Sequence, residues 1–132
     1  MLWPQLLQYS DFGFFLLRLS VAFIFLYHAW PKMKNPKAFA GMMGGQNMAW
    51  FPFVLGLAEF LGALGVLTGV WLQLWALVLI VLMLGAIGMK IGKWKMPFSA
   101  MDKTGWEFDL ILLAASLLLL FAGGGSLWVF GA

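Results

Sequence analysis

Residues 49–89 read AWFPFVLGLAEFLGALGVLTGVWLQLWALVLIVLMLGAIGM, and Glu59 is their single charge. As one helix this run would reach ~60 Å, twice the ~30 Å hydrocarbon core of a bilayer. It must therefore fold back on itself. The corner is expected at Gly69–Gln73, where a glycine, the interfacial Trp71 and the polar Gln73 coincide. That reading yields spans at about residues 51–69 and 72–91. Working outward, a further apolar segment at about 12–30 precedes Pro31 and a lysine cluster, and another at about 106–122 loosens into Gly123, Gly124 and Gly125. The expected fold class is an all-α membrane protein, a four-transmembrane-helix bundle forming a single domain over residues 1–132.

The composition agrees. Of 132 residues 64% are hydrophobic and 10% charged, against roughly 45–50% and about 25% in soluble domains. A chain this small and this apolar cannot hide its surface in one water-soluble globule. A disordered chain, a nucleic-acid-binding domain and a multidomain enzyme are excluded by the same arithmetic. There is no cysteine, which removes disulfides, thiolate metal sites and thiol redox chemistry from this chain. With His28 as the single histidine, a bis-histidine haem within one subunit is also excluded. No cofactor is encoded, and any redox role must borrow one.

Lys32, Lys34 and Lys37 occupy one loop region and Lys90, Lys93, Lys95 and Lys103 the next but one, while the tails and the Trp71 corner hold neither Lys nor Arg. The positive-inside rule then predicts an inner-membrane protein with both termini outside and the lysine loops cytoplasmic. Trp3, Trp30, Trp50, Trp71, Trp94, Trp106 and Trp128 fall near span ends, as an aromatic belt requires. The N-terminus has no basic stretch ahead of its apolar run, so no removable signal peptide is expected.

Charge inside a bilayer is costly, about 2.5–3.5 kcal/mol per residue on insertion scales, which singles out Arg18, His28, Glu59, Glu107 and Asp109. At ~1.5 Å per residue Arg18 lies ~9 Å and His28 ~24 Å from the outer end of the first span, with Glu59 between them at ~18 Å on the same scale when counted back from the inner end of the second. The expectation is a polar column of Arg18, Glu59, His28 and Glu107, with Lys32 at its cytoplasmic mouth. Read structurally, Arg18 and Glu59 form one neutralised pair that fixes helix register, and Glu107 and Asp109 complement a helix dipole. Read functionally, the column lines a cavity in which Glu59 and His28 move protons, and Arg18, Lys32, Trp106 and Glu107 bind a ligand.

Gly56, Ala58, Gly62, Gly65 and Gly69 on the second span suit close helix crossing. The many methionines read as apolar filler rather than metal ligands, so no metal site is expected. Residues 41–46, GMMGGQ, read as a re-entrant or capping segment over the inner mouth.

Several stretches taken in order resemble the DoxX family of small four-helix membrane proteins: Leu17-Arg18-Leu19, Phe25 to Lys32 (FLYHAWPK), Gly56 to Ala63 (GLAEFLGA), Met83 to Ala86 (MLGA) and Gly105 to Phe108 (GWEF). Ala29 stands where the family often has glycine, and an acidic residue usual near the end is missing after Ser126. The resemblance implies a polar set at Arg18, His28, Lys32, Glu59 and Glu107. Its members have been linked to thiosulfate oxidation with quinone reduction, to an oxidoreductase complex handling thiol and oxidative stress, and, more distantly, to receptor assembly and cargo export.

The expected function is a membrane subunit of an oxidoreductase system that binds a quinone head group or a sulfur oxyanion within the bundle. Its partners would be the lipid bilayer, a redox subunit or a second copy of the chain, with no nucleic acid. The alternative is a non-catalytic scaffold or chaperone that binds other transmembrane helices through its small-residue faces. A transporter is disfavoured, because the spans show no inverted repeat and no pair of broken helices.

Overall fold

The computed structural model describes residues 1–130, which are helical with no strand among them. Four long helices carry the fold: α1 (Ser10–Lys34), α3 (Trp50–Thr68), α4 (Leu72–Gly88) and α5 (Trp106–Ala122), with the one-turn α2 (Lys37–Ala40) between the first two. A 3₁₀ turn, Pro4–Tyr9, leads into α1, and a π turn, Met89–Lys93, continues α4. Three segments are long and apolar enough to cross a membrane: Pro4–Lys34, Trp50–Thr68 and Leu72–Lys93. The remaining helix, α5, has 17 residues, ~26 Å of rise.

The run that cannot be one helix does turn at the expected corner. Gly69, at φ 79°, ends α3 and donates its N–H to Gly65 O at 2.9 Å, a left-handed cap that glycine adopts without a Cβ penalty. Trp71, at φ 51°, starts α4, and its carbonyl accepts from Trp75 N at 3.1 Å. One boundary differs from expectation. Pro31 lies inside α1 rather than ending it, and Asn35 N donates to Pro31 O at 2.9 Å beyond it. A proline removes one hydrogen bond and crowds one carbonyl, which a last turn next to water tolerates.

Helix α1 packs on α3, α3 on α4 and α4 on α5, while α1 and α5 meet only sparsely. The core runs through Val21, Ala22, Phe25, Ala63, Val66, Ala76, Leu79, Met83, Leu112 and Leu119. Outward-facing leucines and aromatics such as Phe23, Leu77, Ile111 and Phe121 are exposed, as a lipid-facing surface demands.

Small residues set the helix spacing. A Cβ on Gly56 would meet Met33 and Lys32 of α1 at 2.9 and 3.0 Å, one on Gly62 would meet Leu79 of α4 at 2.8 Å, and one on Gly65 would meet the Trp75 ring at 1.9 Å. Gly65→Ala should therefore be the most damaging of these alanine substitutions, because an indole cannot swing aside as the Leu79 methyl can. A loss of about 1–3 kcal/mol is expected in reversible unfolding, with Gly85→Ala, which meets nothing within 4 Å, near neutral as the control. Equal effects at residues 65 and 85 would contradict this packing.

Candidate functional site

At the end of the bundle that carries the Gly69–Trp71 corner, α3 and α4 are held together through the Gly62–Leu79 and Gly65–Trp75 contacts. Toward the opposite, lysine-bearing end the close approach transfers to α1, where Gly56 meets Lys32 and Met33. Between the halves of the four long helices nearer that end lies a cavity of about 590 Å³. Ile24 and Phe25 of α1, Leu55 of α3, Met83 and Ala86 of α4 and Leu112 of α5 form its apolar wall. Five ionisable side chains enter it: His28, Lys32, Glu59, Lys90 and Asp109.

Four of these form two ion pairs. Lys32 Nζ donates to Glu59 Oε1 at 2.6 Å, and Lys90 Nζ stands 2.6 Å from Asp109 Oδ2. All four side chains are largely withdrawn from the surface, and pairing is the arrangement that makes charge tolerable at such depth. The second oxygen of Glu59, Oε2, is buried and has no hydrogen-bond partner among the described residues. His28 packs its ring against Phe108 at 5.3 Å between centroids and against Tyr27 at 5.6 Å.

At the lysine-bearing end Phe39, Met42, Met43 and Trp94 line the mouth of the cavity, and Trp94 Nε1 donates to Met42 O at 3.2 Å. The segment at residues 41–46 thus contributes Met42 and Met43 to a cap. Thr104, on the other side of this mouth, offers its carbonyl and hydroxyl to Lys90 Nζ, each at 3.4 Å.

His28, Lys32 and Glu59 of the expected column are brought together; Arg18, Trp106 and Glu107 are not among the cavity residues. Arg18 is fully buried but points to the corner end of the bundle, where it donates to Leu67 O at 3.0 Å, Trp128 O at 3.3 Å and Leu127 O. The Arg18–Glu59 pair expected on a structural reading is replaced by Lys32–Glu59. Cα–Cβ bonds lean toward a helix N-terminus, so Arg18 on α1 leans toward the corner end while Glu59 on the antiparallel α3 leans toward the lysine-bearing end, and the two diverge. The same lean brings Lys32 and Glu59 toward each other, and likewise Lys90 and Asp109.

Trp106 packs its ring on Phe98 at 4.5 Å, and Glu107 is exposed in a shallow depression formed with residues 100–105. The first turn of α5 is capped by the loop before it, with Trp106 N donating to Pro97 O and Glu107 N to Phe98 O. Lys90 and Asp109 are the two cavity residues absent from the expected site. Asp109 lies two residues from Glu107, hence on another face of the helix at about 100° per residue; the apolar partner Leu112, three residues on, is the signal that assigns it to the interior.

Searches of curated proteins and of solved structures return no match. The family model described as DoxX matches residues 13–91. That stretch contains most of α1, all of α3 and α4, and with them Arg18, His28, Lys32, Glu59 and Lys90; α5 lies beyond it. The chain is thus an integral membrane protein and belongs to the DoxX family.

Proposed function

We propose that the protein crosses the inner membrane four times, with α5 as the short fourth span, and that the cavity binds a small redox-related ligand on behalf of an oxidoreductase system. The observation that carries the reading is the conjunction of an apolar chamber and five ionisable groups in a bundle otherwise built of lipid-like side chains. A quinone head group suits it better than a sulfur oxyanion. Both cavity lysines are already paired with carboxylates, so a free anion would find no unpaired cation among them to offset its desolvation, whereas a ring system fits the Phe25, Met83 and Leu112 wall.

Within this reading His28 and Glu59 handle the protons that accompany electron transfer and Lys32 orients the head group. Electrons come from a partner subunit or from the ligand. The scaffold alternative drew on the small-residue face of α3, but Gly56, Gly62 and Gly65 are filled by Lys32, Met33, Leu79 and Trp75 of the chain itself.

The test is mass spectrometry of compounds retained by the purified protein in lipid nanodiscs. A lipid-soluble aromatic compound should copurify near one per chain and be lost from Ala86→Phe, which fills the cavity wall. A defined membrane protein copurifying with no small molecule would favour the scaffold instead.

The topology has its own expected result. Lysine-bearing segments 32–37 and 90–103 lie at one end of the bundle, where the two loops touch through Trp94 and Met42, and the positive-inside rule makes that end cytoplasmic. A C-terminal alkaline phosphatase fusion should be active and a green fluorescent protein fusion dark. The opposite pattern would reverse the orientation.

A further inference from the structure

Two features of the cavity bear on what enters it and from where, and both build on the ligand-binding reading above. One is the route. Across the end near water lie Phe39, Met42, Met43 and Trp94, with the Trp94–Met42 hydrogen bond joining two of them. The side between α3 and α4 is different. Val81 and Gly85 both line the cavity and both lie on the exposed surface of α4, Val81 being 60% exposed. Val81 sits near the middle of α4 (Leu72–Gly88), so this exposure is toward acyl chains and not toward either aqueous phase. A Cβ built on Gly85 meets nothing within 4 Å, so no neighbouring side chain covers the backbone at that point.

The other feature is the polarity of the free site. Glu59 is 4% exposed, its Oε1 is taken by Lys32, and its Oε2 is buried without a partner among the described residues. An ionised carboxylate oxygen only accepts hydrogen bonds, and leaving a buried acceptor empty forfeits the hydration it had in water with nothing in return. What completes the site must donate.

We propose that the cavity takes a lipid-dissolved amphiphile through a lateral opening between α3 and α4 at Val81 and Gly85, and holds it by a hydroxyl that donates to Glu59 Oε2. The occupant is a phenol-like head on an apolar tail; of a quinone couple that enters the cavity, the dihydroxy form completes the hydrogen bond to Glu59 and the dione leaves it unmade. The tail leaves through the lateral gap and stays in the bilayer, which is why the lining beyond the ion pairs is apolar.

The experiment uses 4-dodecylphenol and its methyl ether, two probes of nearly one shape that differ by the donor. Binding to the full-length protein in nanodiscs is followed by the fluorescence of the indoles, Trp94 being in the cavity wall. The phenol should bind at least ten-fold tighter than the ether, and sodium thiosulfate should not displace it. In Gly85→Trp, where the added side chain starts in open space and the fold is retained, phenol association should slow at least ten-fold. Equal affinity for phenol and ether overturns the donor assignment, and an unchanged association rate in folded Gly85→Trp overturns the lateral route; both leave the ligand-binding reading standing. Displacement of the phenol by thiosulfate overturns the inference in favour of an anion site. Binding of none of the three probes removes the inference and the reading together.

Discussion

Arg18→Met should free the segment after Gly123 from the corner end of the bundle and lower stability by about 3 kcal/mol or more. The guanidinium donates to Leu67, Leu127 and Trp128 carbonyls, and hydrogen bonds to a charged group contribute about 1.5–3 kcal/mol each. Their loss also strands carbonyls that the buried side chain had satisfied. Around that anchor the segment is held by Phe130 N to Thr68 O at 2.7 Å, by Ser126 Oγ to Asp11 Oδ2 at 2.6 Å, and by the edge of Phe15 against Trp128 at 4.5 Å. Limited proteolysis gives the readout. Cleavage within residues 124–130 should accelerate in Arg18→Met alongside a lower unfolding temperature. Arg18→Lys should recover only part, since an ammonium lacks the planar fork that spans acceptors from two segments. Wild-type cleavage rates in Arg18→Met would show that the anchor lies elsewhere.

The second large effect is expected at the Lys32–Glu59 pair, and it should be asymmetric. Removing one member of a buried pair costs about 3–5 kcal/mol, whereas replacing both with apolar residues of similar volume is often near neutral. Lys32 lies in the last turns of α1, close to the inner surface, and a lysine left alone can extend its ammonium to water. Glu59, in the middle of α3, cannot reach water and can escape only by taking up a proton. Lys32→Met should therefore cost more than Glu59→Leu, and the double variant should regain most of the loss in a thermal double-mutant cycle. Because stranded Glu59 is relieved by protonation, the Lys32→Met deficit should shrink as pH falls. Additive losses, or a deficit independent of pH, would break the pairing argument.

The positions of the long helices and the corner were legible because they follow from arithmetic that tertiary contacts do not override: helix rise against bilayer thickness, and a glycine where the chain must turn. The identity of the ion pairs was not. Depth counting placed Glu59 between Arg18 and His28 as backbone positions, but side chains lean toward their own helix N-termini, and over a long arginine or lysine that lean decides the partner. Read with it, α1 and α3 would have suggested Lys32–Glu59 and left Arg18 seeking carbonyls. Glu107 and Asp109 were harder still, because two carboxylates two residues apart at a helix start are distinguished only by which face meets the bundle. The capping role of Met42 and Met43 was readable in their position, while Trp94 as the partner that pins them needed the fold.

Arg18 also bears on how the protein is made. It emerges early in synthesis, yet two of its three acceptors belong to residues 127 and 128, 109 and 110 positions later. Until those residues are translated, α1 must wait with a charge that its own neighbours do not satisfy, held near the headgroups or in the aqueous pore of the insertion machinery. Closure of the corner end is then a late event in biogenesis, and a ribosome stalled before residue 127 leaves a chain whose first helix has not settled.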